Sequence, residues 1–313
     1  MKILANITSV AEPWLSNVLA TASAVEVKER NVKQVLAHPK FRPGTQVIAY
    51  KILMGWENLE SVTLTGLAPK DDQILHHRSG EPWYLNDLLP GYANHPPEAH
   101  PFYNPADPQV LFDTLEEVQR LRALGYTAAR TDEPFHVFKS ALDGDMAEFD
   151  SLESYFTAWQ DLLSAIAAGL PVGPDRRRWL MYPAFHWPDV VPYSRMAVAC
   201  GSISMENYPA GIGLFPKTGN AVGLPEQMRY GENANNWFYG TSYGHVDRNT
   251  NIQDSLFHYP LAGLPVIAWG GSGHAAIRIA RLFAERGWTI YFCLWRLYDK
   301  NGNLPAWLWN EVE

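Results

Sequence analysis

Eight short runs rich in β-branched and aromatic residues recur along the chain, each followed by a longer helical or irregular stretch. They occupy residues 2–8, 24–28, 46–53, 126–132, 179–185, 202–208, 265–270 and 289–295. Strands separated by long crossovers pair in parallel, because a tight turn can join only antiparallel neighbours. Eight such units over about 300 residues match the count and length of a (β/α)8 TIM barrel. The competing architecture, an open doubly wound sheet, normally carries a glycine-rich nucleotide loop after its first strand. Residues 6–13 contain no glycine. The expectation is α/β: a single barrel domain over residues 1–313.

Helical periodicity fills several of the gaps. Residues 111–124 place apolar side chains at 111, 115, 118, 121 and 124, and Gly125 ends the pattern. Residues 152–168 form a second candidate, opened by Ser151 as N-cap and closed by Gly169. Residues 275–286 form a third, closed by Gly287, and residues 30–37 a weaker fourth before Pro39. Two stretches, 55–108 and 209–260, are long and rich in Pro, His, Trp and Tyr. They read as long loops after strands 3 and 6, on the face where barrel enzymes work.

Composition narrows the function classes. Apolar residues make up 47% and charged residues 19%, which favours a packed core over disorder. The formal charge of −8 argues against a nucleic-acid partner. No uninterrupted apolar run is long enough to span a membrane. The first 14 residues lack the apolar centre of a signal peptide, so the expected site of synthesis is the cytoplasm, with the protein virion-associated or released by lysis. Cys200 and Cys293 fall on strands separated by a third, too far apart for a disulfide. Aromatic residues reach 13%, and flat amphipathic rings suit sugar faces as well as cores.

The chemistry-bearing residues sit at two strand ends. In residues 202–206, Ile203 and Met205 alternate with Ser202, Ser204 and Glu206. The apolar face should meet helices, and the polar face should line the barrel with Glu206 at its top. Asn207 and Tyr208 follow as ligand-positioning groups. In the fourth run Arg130 and Asp132 share a face, Glu133 follows, and Pro134 breaks the strand. An inward Asp132 would be held ionised by Arg130 beneath it, whereas an inward Glu133 would turn Arg130 toward the helices, where it is harder to satisfy, so Asp132 is preferred and Glu133 kept as its substitute. Two acids converging on one cleft are the minimum apparatus for glycoside hydrolysis. Asp132 is assigned as nucleophile or cation stabiliser and Glu206 as acid/base. The same acids could instead cap helices or pair with arginine at a barrel rim.

Three segments resemble glycosidases related to the endo-polygalactosaminidase barrels. Residues 124–133 (LGYTAARTDE) take the place of a strand reading G-F-D-G-[IV]-F-[LI]-D, with Asp132 on its terminal Asp. Residues 200–208 (CGSISMENY) match D-G-[IV]-x-x-E-[NGS]-[FY], with Glu206 on the Glu. Residues 75–84 (LHHRSGEPWY) are similar to L-x-D-x-x-G-x-P. The departures are Thr127 and Ala128 for an Asp-Gly, Arg130 for an apolar residue, and the missing Asp of the second motif. The resemblance implies a barrel fold and Asp132 with Glu206 as the working pair.

Other groups complete the expected site. Lys51, Trp83, Tyr84, Arg130, Tyr182, Asn207, Tyr208, Trp269 and Trp295 are candidate substrate-binding residues, and the partner is a carbohydrate polymer. This chemistry requires no metal or organic cofactor. Residues 270–274 (GGSGH) read as a tight turn rather than a phosphate loop, lacking the Gly-Lys-Ser/Thr ending. His76 and His77 point to opposite sides of an extended chain, a poor shared metal site. Asp143, Asp145, Glu148 and Asp150 read as solvated acids, without the pattern of a calcium loop. The alternative function is a catalytically decayed barrel, a carbohydrate-binding or structural component working with assembly partner proteins, as in a phage tail.

Overall fold

Strands buried on both faces need apolar residues at almost every position, and the first two strands show it. In a computed structural model of the chain, β1 (Lys2–Ile7) exposes only Lys2 fully, and β2 (Ala24–Val27) buries all four residues. The structure describes residues 2–52, 63–84, 101–132, 144–169, 179–185, 203–207, 265–270, 289–294 and 298–304, with the backbone path alone for 52, 131–132, 180–185, 203–207, 265–270 and 289–294. The remaining strands are β3 (Gln46–Ile52), β4 (Ala128–Asp132), β5 (Leu180–Phe185), β6 (Ile203–Asn207), β7 (Pro265–Gly270) and β8 (Thr289–Leu294). All eight expected runs contain a strand, trimmed by at most two residues at an end. The chain is mixed α/β with a parallel sheet, as its alternation predicts.

The helices are α1 (Trp14–Thr21), α2 (Glu29–Leu36), α3 (Pro108–Leu124) and α4 (Leu152–Gly169). Sequence periodicity does not reveal α1, which has eight residues and no side-chain cap. Its Leu15, Val18 and Leu19 pack inward because tertiary contacts, not propensity, hold so short a helix. At the start of α3, Asp107 accepts from the backbone N–H groups of Gln109 at 2.6 Å and Val110 at 3.1 Å. At its end Gly125 adopts φ 99°, the left-handed cap that stops the helix and turns the chain into β4. Its buried face differs from the apolar stripe read from sequence: Val110, Asp113, Thr114, Glu117, Val118 and Leu121 are buried. Polar residues on that face find partners, so apolar periodicity alone misplaces it. In α4 the Ser151 hydroxyl accepts from the Ser154 N–H at 3.2 Å, as the N-cap reading expects. The candidate helix at 275–286, the whole of 209–260 and much of 55–108 lie outside the described residues.

Neighbouring strands pair in parallel in chain order, and β8 returns to β1, closing the sheet. The register fixes more than the order. Starting at Asn6, partners run Glu26, Ile48, Ala128 and Leu180. A climb of four residues along β5 to Ala184 continues through Ser204, Ile267 and Tyr291 to Lys2, four residues below the start. One circuit therefore slips eight residues over eight strands. A level path must advance one residue per strand against the register, so each interior layer draws on alternate strands. Glu26 on β2, Arg130 on β4, Ser204 on β6 and Cys293 on β8 hold the positions of one layer. The next toward the C-terminal ends takes Asn6, Tyr50, Ala184 and Trp269. Above it the same bookkeeping puts the positions of Asp132 and Glu206 at one level.

Gly125 is the joint between α3 and β4, and a Cβ there would also strike Leu36 on α2. Gly125→Ala is expected to cost roughly 1–3 kcal/mol. Thermal denaturation checks this, and an unchanged melting temperature would show that the joint is not under this constraint.

Candidate functional site

A charged residue in the middle of an apolar strand must find a partner or stay out of the core. Glu26 sits between Val25 and Val27, and only 5% of it is exposed. Its partner is Arg130, itself 3% exposed, whose Nε donates to Glu26 Oε2 at 2.7 Å. Asn6 Nδ2 donates to the other carboxylate oxygen at 3.2 Å. The Arg130 guanidinium also lies 5.0 Å from the centre of the Tyr50 ring, within cation–π range. Four strands thus contribute one polar group each to the interior. Arg130 faces inward, and strand alternation gives the position of Asp132, two residues on, the same face. Register partners share a face, so the sequence Arg130–Tyr182, Ala184–Ser204 carries that inner face to the position of Glu206.

The sequence reading of Arg130 is half right. It is inward and beneath the Asp132 position, but it is engaged by Glu26 rather than awaiting substrate. Glu26 and Asn6 were not among the expected site residues. The signal was present in residues 24–28 (AVEVK), where Glu26 alternates with valines that have no reason to tolerate a charge.

Lys51 is a clear correction. Val47, Ala49 and Lys51 share the helix-facing side of β3, and Lys51 is 2% exposed. It donates in a short contact to Glu117 on α3 and lies 4.0 Å from Glu29 on α2. Arg120 completes the group, 2.5 Å from Glu29 and 2.6 Å from Glu117. Burial pulls the Lys51 ammonium below the ordinary lysine range, against the opposing pull of the two glutamates. The hydrogen bond from Arg120 holds the Glu29 carboxyl below its ordinary value. Lys51 therefore ties β3 to its covering helices rather than facing the interior of the closed sheet. Gly66 closes the group from above: it takes φ +72°, and a Cβ there would press on the Glu117 carboxylate.

Trp83 is a second correction. It is 3% exposed, stacks on His77 with ring centres 3.7 Å apart, and its Nε1 donates to the Asp145 carbonyl at 2.8 Å. Its faces are committed to the protein. Tyr84 is half-buried and bridges to Pro101 in the same loop. Tyr182, expected among the substrate-binding residues, stands in register with Arg130, at a position below the Glu26–Arg130 layer. The positions of Glu206 and Trp269 are register partners, while Asn207 takes the opposite face from Glu206. Glu133, Tyr208 and Trp295 lie outside the described residues, and of Asp132, Glu206, Asn207, Tyr182 and Trp269 only the strand positions are described.

Trp83 belongs to a clasp between the loops after β3 and β4. His76 Nδ1 lies 2.8 Å from Glu148 Oε1, and the His76 N–H donates to the same carboxylate. His77 Nδ1 lies 2.8 Å from Asp145 Oδ2, whose other oxygen accepts from the Arg78 N–H at 3.1 Å. Each histidine takes its own acid from the run read as solvated. No group of three or more metal-ligating side chains occurs among the described residues. No helix among them is long and apolar enough to cross a membrane.

No family model matches this chain, and no curated protein matches it. Solved structures do. The glycoside hydrolase domain of PelA from Pseudomonas aeruginosa is similar over 93% of this chain and 94% of that one, at 14% identity and TM-score 0.47. Aspergillus fumigatus Ega3 in complex with galactosamine is similar over 97% and 91%, at 12% identity and TM-score 0.41. A beta-galactosidase from the psychrophilic Marinomonas ef1 is similar over 95% of this chain and 54% of that one, at 8% identity and TM-score 0.49. The structural neighbours thus include glycoside hydrolase domains.

The clasp should depend on pH. Burial of the His76 ring opposes its protonation, but hydrogen bonds and charges from Glu148 and Asp71 more than reverse this, raising it above 6.5. Its contribution is complete below 6.5 and is lost as pH rises through the raised value. Asp145, held below 3.8 mainly by the His77 hydrogen bond, loses its contribution as pH falls through that depressed value. Hydrogen exchange at the His76 and Ala147 amides is expected to speed up across the alkaline limb, and His76→Phe should remove that limb. An exchange rate that follows only the ordinary chemical pH dependence would refute the clasp.

Proposed function

We propose that the chain is a single (β/α)8 barrel spanning residues 1–313, and that it binds and cleaves a polysaccharide with Asp132 and Glu206. The barrel reading is supported by eight parallel strands in chain order, a slip of eight residues per circuit, and helices following β1 to β4. Both acids belong to the C-terminal ends of their strands, the end at which barrel enzymes carry their chemistry.

One observation carries the catalytic reading. Glu26 and Arg130 hold positions of one layer on β2 and β4, and their side chains meet at 2.7 Å across the interior. Asp132 and Glu206 hold equivalent positions of a higher layer on β4 and β6. Two carboxylate side chains are together shorter than a glutamate and an arginine. The same backbone spacing would therefore leave their oxygens on the order of 5 Å apart, the separation of a retaining glycosidase. In this reading Asp132 attacks the anomeric carbon, and Glu206 protonates the leaving oxygen and then activates water. Glu133, next along the chain, has the opposite alternation and is the weaker candidate. Trp269, beside Glu206 in register, is the aromatic best placed to take a sugar face, with Tyr84, Tyr208 and Trp295 as loop contributors. The partner is a carbohydrate polymer, and the residues named need no metal or organic cofactor.

Release of reducing ends from a panel of polysaccharides tests this, comparing wild type with Asp132→Asn and Glu206→Gln. Each substitution is expected to lower the rate by about 10²-fold or more while leaving the melting temperature nearly unchanged. Equal rates in all three proteins would eliminate the assignment and leave the carbohydrate-binding or structural role.

A further inference from the structure

An ion pair in a protein interior is seldom the most stabilising filling, since apolar residues of similar volume often do as well or better. The Glu26–Arg130 pair nevertheless occupies the layer directly under the two proposed catalytic positions. It is held from three sides: by its own contact at 2.7 Å, by Asn6 on the carboxylate, and by Tyr50 against the guanidinium. The layer is asymmetric. Arg130 stands two residues below Asp132 on β4, about 7 Å along the strand. The corresponding position below Glu206 on β6 is Ser204, which carries no charge. Glu26 is on β2, the strand diagonal to β6.

We propose that the Glu26–Arg130 pair is the positioning element of the active site: it fixes one cation beneath the position of Asp132, whereas the corresponding position beneath Glu206 is the uncharged Ser204, and so it determines which acid is the anion. This rests on the reading of Asp132 and Glu206 given above. Two acids a few ångströms apart cannot both ionise easily, and a nearby cation selects the one that does. Glycoside cleavage needs that selection, because one acid must attack as the anion while its neighbour still holds a proton. Among the described strands, the other titratable positions facing the interior near the two acids do not undo it. Lys28, exposed just beyond β2, follows Glu26 by two residues and adds to the positive side. Tyr50 on β3, Tyr182 on β5 and Cys293 on β8 are groups ordinarily neutral at pH 7.

Carboxyl carbon NMR titration of the intact protein tests the proposal, with Asp132→Asn and Glu206→Gln used to assign the two signals. In the wild type, Asp132 should titrate below about 3.9 and Glu206 above about 4.3. The double exchange Glu26→Arg with Arg130→Glu keeps an interior pair but turns its polarity around. Asp132 should then titrate at least about one pH unit higher than in the wild type. A merely structural pair would leave it unmoved. Should the exchanged protein fail to fold, Glu26→Gln removes the carboxylate that faces Arg130, and the Asp132 midpoint should fall. Ordinary, unsplit midpoints in the wild type, or an Asp132 midpoint indifferent to Glu26→Gln, would overturn the proposal. Reducing-end release separates this from the hydrolase reading. Cleavage that needs Asp132 without any splitting sinks the role of the pair alone. Splitting without cleavage of any glycan sinks hydrolysis and upholds the electrostatic assignment.

Discussion

Slip between strands is the constraint on which the rest of this molecule depends. Eight parallel strands close only if each is offset against the next, and here the offsets accumulate to eight residues per turn. That quantity decides which residues look across the interior at one another. It brings Glu26 opposite Arg130, separates Tyr50 from both by half a step, and sets Asp132 level with Glu206. A change of two residues in register between β2 and β4 would uncouple Glu26 from Arg130, and one between β4 and β6 would move the Asp132 position off the level of Glu206, although the strand order and the apolar patterning would survive.

The interior and exterior of the closed sheet solve the same electrostatic problem differently. Inside, one acid and one base are paired and enclosed by Asn6 and Tyr50. Outside, Lys51, Glu29, Glu117 and Arg120 form a larger group at the junction of β3 with α2 and α3. The outer group can be extensive because Arg120 and Glu29 remain partly in water, which lowers the cost of gathering charges. The inner pair has little contact with water, so removing either partner alone takes the ion-pair contact from a buried charge, a change worth about 3–5 kcal/mol in comparable cases.

Much of the architecture was legible in the chain because the strands are short, apolar and separated by long connections. The C-terminal end of α3 is legible for a local reason, Gly125, whereas its start at Asp107 and Pro108 lies before the apolar pattern over 111–124 begins. Alternation read correctly that Arg130 faces inward. It fails for Lys51, expected among the substrate-binding residues, which faces the helices instead. Whether an odd or even position faces the helices cannot be decided until a partner fixes the phase, and Glu117 lies 66 residues away. Glu26 escaped notice for the opposite reason: its strand looked like ordinary core, and the arginine that makes it tolerable lies 104 residues away. Trp83 was grouped with sugar-stacking aromatics because composition does not reveal which rings already have a partner. Its partner is the adjacent loop's histidine, through contacts that no short-range pattern encodes.

The clasp of His76 and His77 onto Glu148 and Asp145 joins two loops that the chain separates by a whole helix and strand. Such loops do not vary independently. Lengthening one would tear both imidazole contacts and strip Trp83 of its acceptor, so the two are expected to be inherited, transplanted or redesigned as one cassette.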